Sequence, residues 1–274
     1  MLIRKYLLLL LFFVPAISYS QYWEVGLLLG GSNYSGELND GIINLGETKF
    51  ATGAIIRYNL NPWLTIKSNI YYGSIAGDDK NSKIAENKLR NLSFKSNIID
   101  IGLQTELNLT GYKSGHAVYK SSPYIFFGLS VFRFNPEAEY AGTWYALQPL
   151  CTEGQGTTKY NDRERYSLTQ ISIPFGVGWK KALSRFWNIG LEIGVRATFT
   201  DYLDDVSTTY VEADILTAAY GKISAQLSNR TGETGNPQTY NSQNDRGDPT
   251  NNDMYLFAGV TLTYSILPNK CYKF

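Results

Sequence analysis

Apolar and polar residues alternate from Asn188 to Thr200. Ile189, Leu191, Ile193, Val195, Ala197 and Phe199 share one face, and Asn188, Glu192, Arg196 and Thr200 share the other. Successive side chains of an extended strand point to opposite faces, so this spacing predicts a strand rather than a helix. One face is apolar along its whole length, while the other carries charges of both signs. A run of about ten such residues suits a tilted strand that crosses a bilayer, its apolar side to lipid and its polar side to an interior.

The alternation recurs along the chain. Outward residues are Trp23, Val25, Leu27 and Leu29; then Thr52, Ala54, Ile56, Tyr58 and Leu60; then Leu64, Ile66, Ser68, Ile70 and Tyr72. A fourth strand sets Ile99, Ile101, Leu103, Leu107 and Leu109 outside against Asp100, Gln104, Glu106 and Asn108 inside. Tyr124 to Phe134 has aromatics on both sides, which leaves its facing open. Ile171, Ile173, Phe175, Val177 and Trp179 mark a sixth strand, Asn188 to Thr200 is the seventh, and Leu256, Val260, Leu262, Tyr264 and Ile266 mark the eighth. The fold class expected is all-β: a closed antiparallel transmembrane barrel of eight strands.

Connections alternate in length. Asn61-Pro62-Trp63, Gly111 to Ser122 and Lys180 to Phe186 are short, and Gly31 to Ala51, Ser74 to Ser96, Asn135 to Thr169 and Asp201 to Asp253 are long. Short turns belong at the periplasmic end of such barrels and long loops at the extracellular end. In the last loop, Val211, Ile215, Leu216, Ala219 and Ile223 fall at helical spacing, which predicts a helix over Val211 to Leu227 lying across the barrel mouth.

Arg4 and Lys5, an apolar run from Leu7 to Ala16, and Ser18 and Ser20 before Gln21 read as a secretory signal over residues 1–20. Residues 21–274 then form one barrel domain. Beyond Ser20 no apolar run is long enough for a spanning helix, so a membrane protein made of the remainder has to be a closed barrel. A soluble periplasmic β-protein is the alternative. The location expected is the outer membrane of a Gram-negative cell, with its lipids as one partner.

Composition narrows the function. Loss of Arg4 and Lys5 takes the formal charge from +1 to −1, leaving no basic stripe for phosphates and excluding nucleic acid as a partner. Twenty-one tyrosines and 13 phenylalanines suit the aromatic girdles of a barrel. Eight strands enclose too little space for an open channel, so side chains should fill the lumen. Arg57, Lys67 and Arg196 are expected there against Asp100, Glu106 and Glu192, as a structural charge network.

Chemistry finds little footing. The single histidine, His116, falls in a short turn away from every long loop, and no G-x-S-x-G elbow is present, so no enzymatic activity is expected. Asp201, Asp204 and Asp205 could offer carboxylate oxygens to calcium, but their spacing matches no dedicated loop; neither metal nor cofactor is assigned. Cys151 falls in an outer loop and Cys271 beyond the last strand, at the periplasmic end. A membrane thickness far exceeds the roughly 7 Å between Cα atoms that a disulfide allows. Cys271 is therefore a candidate for a disulfide with a partner protein, an unpaired thiol being the other reading.

Several strings carry a resemblance: GGSNYSGEL (Gly30 to Leu38), RNLSF (Arg90 to Phe94), PLCTEGQG (Pro149 to Gly156), IPFGVGW (Ile173 to Trp179), TDYLDDVSTTYV (Thr200 to Val211) and NDMYLF (Asn252 to Phe257). Together, TDYLDDVS and TEGQG are the most specific of them. The chain resembles the PorG-like outer-membrane β-barrels of Bacteroidetes, associated with type IX secretion. Cys151 stands where a glycine-like residue usually precedes TEGQG. The resemblance implies a non-enzymatic barrel that anchors a periplasmic secretion ring or lipoprotein complex to the outer membrane. The competing expectation is a free-standing structural or adhesive barrel, similar to small OmpX-type proteins, that acts through its outer loops.

Overall fold

The computed structural model describes residues 21–41 and 44–267; the expected signal, residues 1–20, and Cys271 lie outside the described residues. Alternating runs become eight long strands: β1 (Tyr22–Ser35), β2 (Lys49–Asn59), β3 (Leu64–Asp78), β4 (Ser93–Asn108) and β5 (Ser121–Arg133), then β8 (Thr169–Ala182), β9 (Trp187–Thr198) and β10 (Met254–Ile266). Each pairs antiparallel with its chain neighbour in this series, and β1 pairs with β10, so Leu27 faces Ala54 on one side and Leu262 on the other. The sheet is a closed eight-stranded barrel, with no free edge in the ring.

The barrel is inside-out relative to a water-soluble one. Leu27, Leu103, Leu129 and Leu191 are exposed on the outer wall, while Arg57, Lys67, Glu106 and Glu192 are buried in the lumen. An apolar exterior around a charged interior is stable in lipid and unfavourable in water, which identifies an outer-membrane-type barrel rather than the soluble alternative. Among the described residues no helix is long and apolar enough to cross a membrane. Trp23 against Tyr58, Trp187 against Tyr264 and Trp63 against Tyr119, with ring centroids 4.5, 5.3 and 6.1 Å apart, form an aromatic girdle at the short-turn end.

The facing of β5 is settled by what the lumen needs. Ile125, Phe127, Leu129 and Val131 point out, while Tyr124, Phe126 and Phe132 fill the interior. Leu256 has outward parity but is buried, beside a narrow cleft lined by Asn33, Ser35, Val195 and Met254. The long loop after β5 contains a hairpin the alternation did not predict, β6 (Pro136–Tyr140) and β7 (Thr143–Ala146), which extends the wall by pairing with the end of β4.

Among the described residues three short helices lie in the loops: α1 (Ala85–Arg90), α2 (Ala213–Tyr220) and α3 (Lys222–Ser228). The single helix expected over Val211 to Leu227 is two, because Gly221 adopts φ 89°, which interrupts the helical run. Leu216 and Leu227 are buried while Ala219 is exposed.

Candidate functional site

The lumen is organised around two glutamates. Glu106 on β4 receives Arg57 Nε at 2.9 Å and Lys180 Nζ at 2.7 Å, with Lys67 Nζ at 3.7 Å. Glu192 on β9 receives Lys67 Nζ at 2.7 Å and Arg57 Nη2 at 3.6 Å, and accepts hydrogen bonds from the Tyr124 and Tyr71 hydroxyls at 2.8 and 3.1 Å. Lys67 Nζ also lies 4.2 Å from the Phe126 ring centroid. Each carboxylate is thus shared by several buried donors, as ions removed from water require.

Arg196 and Asp100 do not join as ion pairs, which corrects the pairing expected of them. The Arg196 guanidinium stacks over Phe257 and Tyr71, 4.8 and 5.5 Å from their centroids, and donates to Gly194 O at 2.6 Å. Asp100 accepts from the Tyr255 hydroxyl at 2.7 Å and Asn69 Nδ2 at 3.0 Å. Aromatic rings fill the lumen at this level, so a phenol and an amide serve the carboxylate instead of a cation. Two members went unrecognised: Lys180, read as the start of a turn, and Glu24, which accepts from the Thr263 hydroxyl at 3.2 Å. With them, the buried strand charges are four cations (Arg57, Lys67, Lys180, Arg196) and four carboxylates (Glu24, Asp100, Glu106, Glu192).

Both ends are closed. At the short-turn end, Ser114 N donates to the Tyr22 hydroxyl at 3.0 Å and its Oγ lies 2.9 Å from Asn188 Oδ1, which draws the 109–120 turn across the opening over buried Tyr112. His116 sits in this turn, its Nδ1 accepting from Val118 N and Tyr119 N, both at 3.2 Å. That imidazole stabilises a turn.

At the other end the long loops form a folded cap, and the two most specific strings of the resemblance turn out to be its lock. Glu153, fully buried, accepts from Ser207 N (2.9 Å), Thr208 N (3.0 Å), the Thr208 hydroxyl (2.7 Å) and Arg246 Nη1 (3.0 Å). Asp205 accepts from the Thr152 hydroxyl and from the Tyr166 hydroxyl at 2.7 Å. Burial pushes its carboxyl up to about 6, against the pull of Arg246 and these hydrogen bonds. TEGQG and TDYLDDVS therefore hold the loop after β5 to the loop after β9. Cys151 precedes this lock with φ 49°, a left-handed conformation, which accounts for the usual glycine-like residue there. Its thiol is buried and receives Arg165 Nε at 2.9 Å.

Glu153→Gln should loosen this lock by about 1–3 kcal/mol, because Arg246 and two backbone amides lose their charged acceptor. Limited proteolysis in micelles checks it: residues 199–253 should be cut faster while the barrel keeps its shifted mobility in unboiled gels. Unchanged cleavage would show that the cap does not depend on Glu153.

Burial also gathers carboxylates at the cap base. Desolvation and the neighbouring Asp201 push Glu37 up to about 7; desolvation does the same for Asp201, also to about 7. Asp204 and Asp253 are raised too, again mainly by burial, then by the charges of Glu37 and Asp204 respectively.

The sequence profile of one protein family, described as a domain of unknown function (DUF6089), matches residues 3–227. The chain belongs to the DUF6089 family. No curated protein matches it in sequence. Among solved structures, this DUF6089 barrel is similar to Neisserial surface protein A, at 8% identity and TM-score 0.40 over 90% of this chain and 97% of that one. It is also similar to the N-terminal β-barrel domain of Pseudomonas aeruginosa OprF, at 9% identity and TM-score 0.38 over 90% and 98% of the two chains. Ail, the attachment invasion locus protein of Yersinia pestis, gives 7% identity and TM-score 0.39 over 90% and 97%.

Proposed function

We propose that this chain is a non-enzymatic barrel of the Gram-negative outer membrane that anchors a periplasmic ring or lipoprotein complex of the type IX secretion machinery. The observation that carries the reading is a lumen filled by balanced charges and aromatic rings and closed at both ends. Such a barrel conducts nothing, so it acts through its surfaces. The direction of action, toward the periplasm, rests on the PorG-like resemblance alone, since its two most specific strings interlock in the cap at the opposite end.

An OmpX-like role through the outer loops is the second reading. It is favoured by Trp144, exposed on the hairpin with Lys95 Nζ 3.3 Å from its ring centroid, at the edge of a groove also lined by Lys49, Lys80 and Glu139.

Cys271 is proposed to form a disulfide with the periplasmic partner, favoured by an oxidising compartment and by thiols held close in a docked complex. Affinity isolation from outer membranes, with free thiols blocked, should recover a higher-mass adduct under non-reducing conditions. Cys271→Ser should abolish it and Cys151→Ser, at a buried thiol, should not. A wild type that runs only as a monomer defeats the covalent link. Recovery of surface ligands in place of periplasmic proteins favours the second reading.

A further inference from the structure

Charges balance in the lumen and fail to balance in the cap. Among the described residues, six carboxylates (Asp79, Glu153, Asp201, Asp204, Asp205, Asp253) are buried outside the strands against two guanidiniums, Arg230 and Arg246. Arg246 serves Glu153 and Asp205, Arg230 serves Glu233, and the partly buried Arg90 serves Asp79. Among the described residues no ion pair reaches Asp201, Asp204, Asp253 or Glu37.

Asp204 and Asp253 are held in place by the backbone. Val206 N donates to Asp204 Oδ1 and Leu203 N to Asp253 Oδ2, each at 2.8 Å. Both also face the Tyr34 hydroxyl, at 2.6 and 3.1 Å, and a phenol has one proton for the two of them.

Asp201 differs. It is only 7% exposed, both its carboxylate oxygens are buried, and neither receives a hydrogen bond. Glu37 Oε2 is likewise buried without a donor. One oxygen each from Glu37, Asp201 and Asp253 lies within 4.8 Å of the others. Two ligands 2.3–2.6 Å from one calcium ion stand at most about 5 Å apart, so a single ion can bridge this trio. Buried carboxylates without donors are costly, and oxygen donors without nitrogen or sulfur select a hard cation. Calcium accepts irregular oxygen sets, whereas magnesium demands a near-ideal octahedron.

We propose that Glu37, Asp201 and Asp253 form a calcium site that fastens the loop after β1 to the loop after β9 at the base of the cap. The backbone is drawn tight around it. A Cβ at Gly36 would collide with the Asp253 carboxylate and the Tyr34 hydroxyl, and Asp253 N donates to Thr200 O at 3.0 Å. Of the three clustered aspartates whose carboxylates suggested calcium in the sequence, only Asp201 belongs to the trio; Asp205 is turned to Thr152, Tyr166 and Arg246.

Terbium luminescence tests the site in the full chain folded in detergent micelles, because Tyr34 is close enough to the carboxylates to sensitise a bound lanthanide. Wild type should give saturable emission that calcium displaces more effectively than magnesium. Asp201→Asn, close in shape, should weaken terbium and calcium by about tenfold or more, since ligand charge count tunes affinity. Calcium should also slow proteolysis of residues 199–253 in wild type and not in the variant. Retention of the unboiled gel shift verifies folding; should Asp201→Asn fail to fold, Glu37→Gln decides on the same readout. Absence of saturable emission in wild type, or equal affinity in wild type and a folded variant, overturns the site.

Discussion

Replacing Glu106 by glutamine is expected to destabilise the folded barrel by about 3–5 kcal/mol, the cost of stripping a buried ionic cluster of one partner. Glu106 is fully buried and faces three cations: Arg57 at 2.9 Å, Lys180 at 2.7 Å and Lys67 at 3.7 Å. Without it, Glu192 is left as the ion-pair partner of Arg57 and Lys67, and Lys180 has no other carboxylate in ion-pair range among the described residues. Glu24→Gln provides the contrast. Glu24 is as deeply buried but makes no ion pair, and one of its oxygens already lacks a donor, so its loss should cost well under the Glu106 figure. Urea unfolding in micelles, followed by tryptophan fluorescence, measures both. Pairing Glu106→Gln with Lys180→Met should recover part of the loss, because it removes the cation left most exposed to imbalance. Equal costs at Glu24 and Glu106 would mean that the lumen is held by packing rather than by its charges.

The barrel was legible because its strands obey a period of two for ten residues or more, and that period is imposed by lipid on one side and a polar lumen on the other. Parity alone puts Glu24 beside outward Trp23 and Val25, and Lys180 beside outward Trp179, on the inner wall. Lys180 reads as the start of a turn in the sequence, but its strand runs on to Ala182. Period says which wall a charge faces but nothing of its height. Arg196 and Asp100 therefore share the lumen with opposite charges yet pair with none, separated by a layer of Tyr71, Tyr255 and Phe257.

The cap was legible only as an absence of period. Glu153, Asp205 and Arg246 meet across some ninety residues of chain, through backbone amides and hydroxyls that have no spacing to read. The two most specific strings of the resemblance, TEGQG and TDYLDDVS, lie at these contacts. A lock built from irregular backbone demands specific residues, whereas a lipid-facing wall accepts almost any apolar one.

That tolerance has a sharp limit, which the second large effect exposes. Ile193→Arg, midway along β9 and outward, with Val177 and Ala258 as its strand neighbours, should lower stability by about 2–4 kcal/mol in phospholipid vesicles. An arginine at mid-depth must snorkel or drag water into hydrocarbon, and no lumen carboxylate is accessible from the outer wall. Phe199→Arg, just past the end of β9 on the same face and 63% exposed, should cost only about 0–1 kcal/mol because it reaches the interface. Urea titrations of vesicle-inserted protein compare the two. A similar cost at both positions would mean that the apolar band does not mark the bilayer, and in detergent, where depth is lost, the difference between them should shrink.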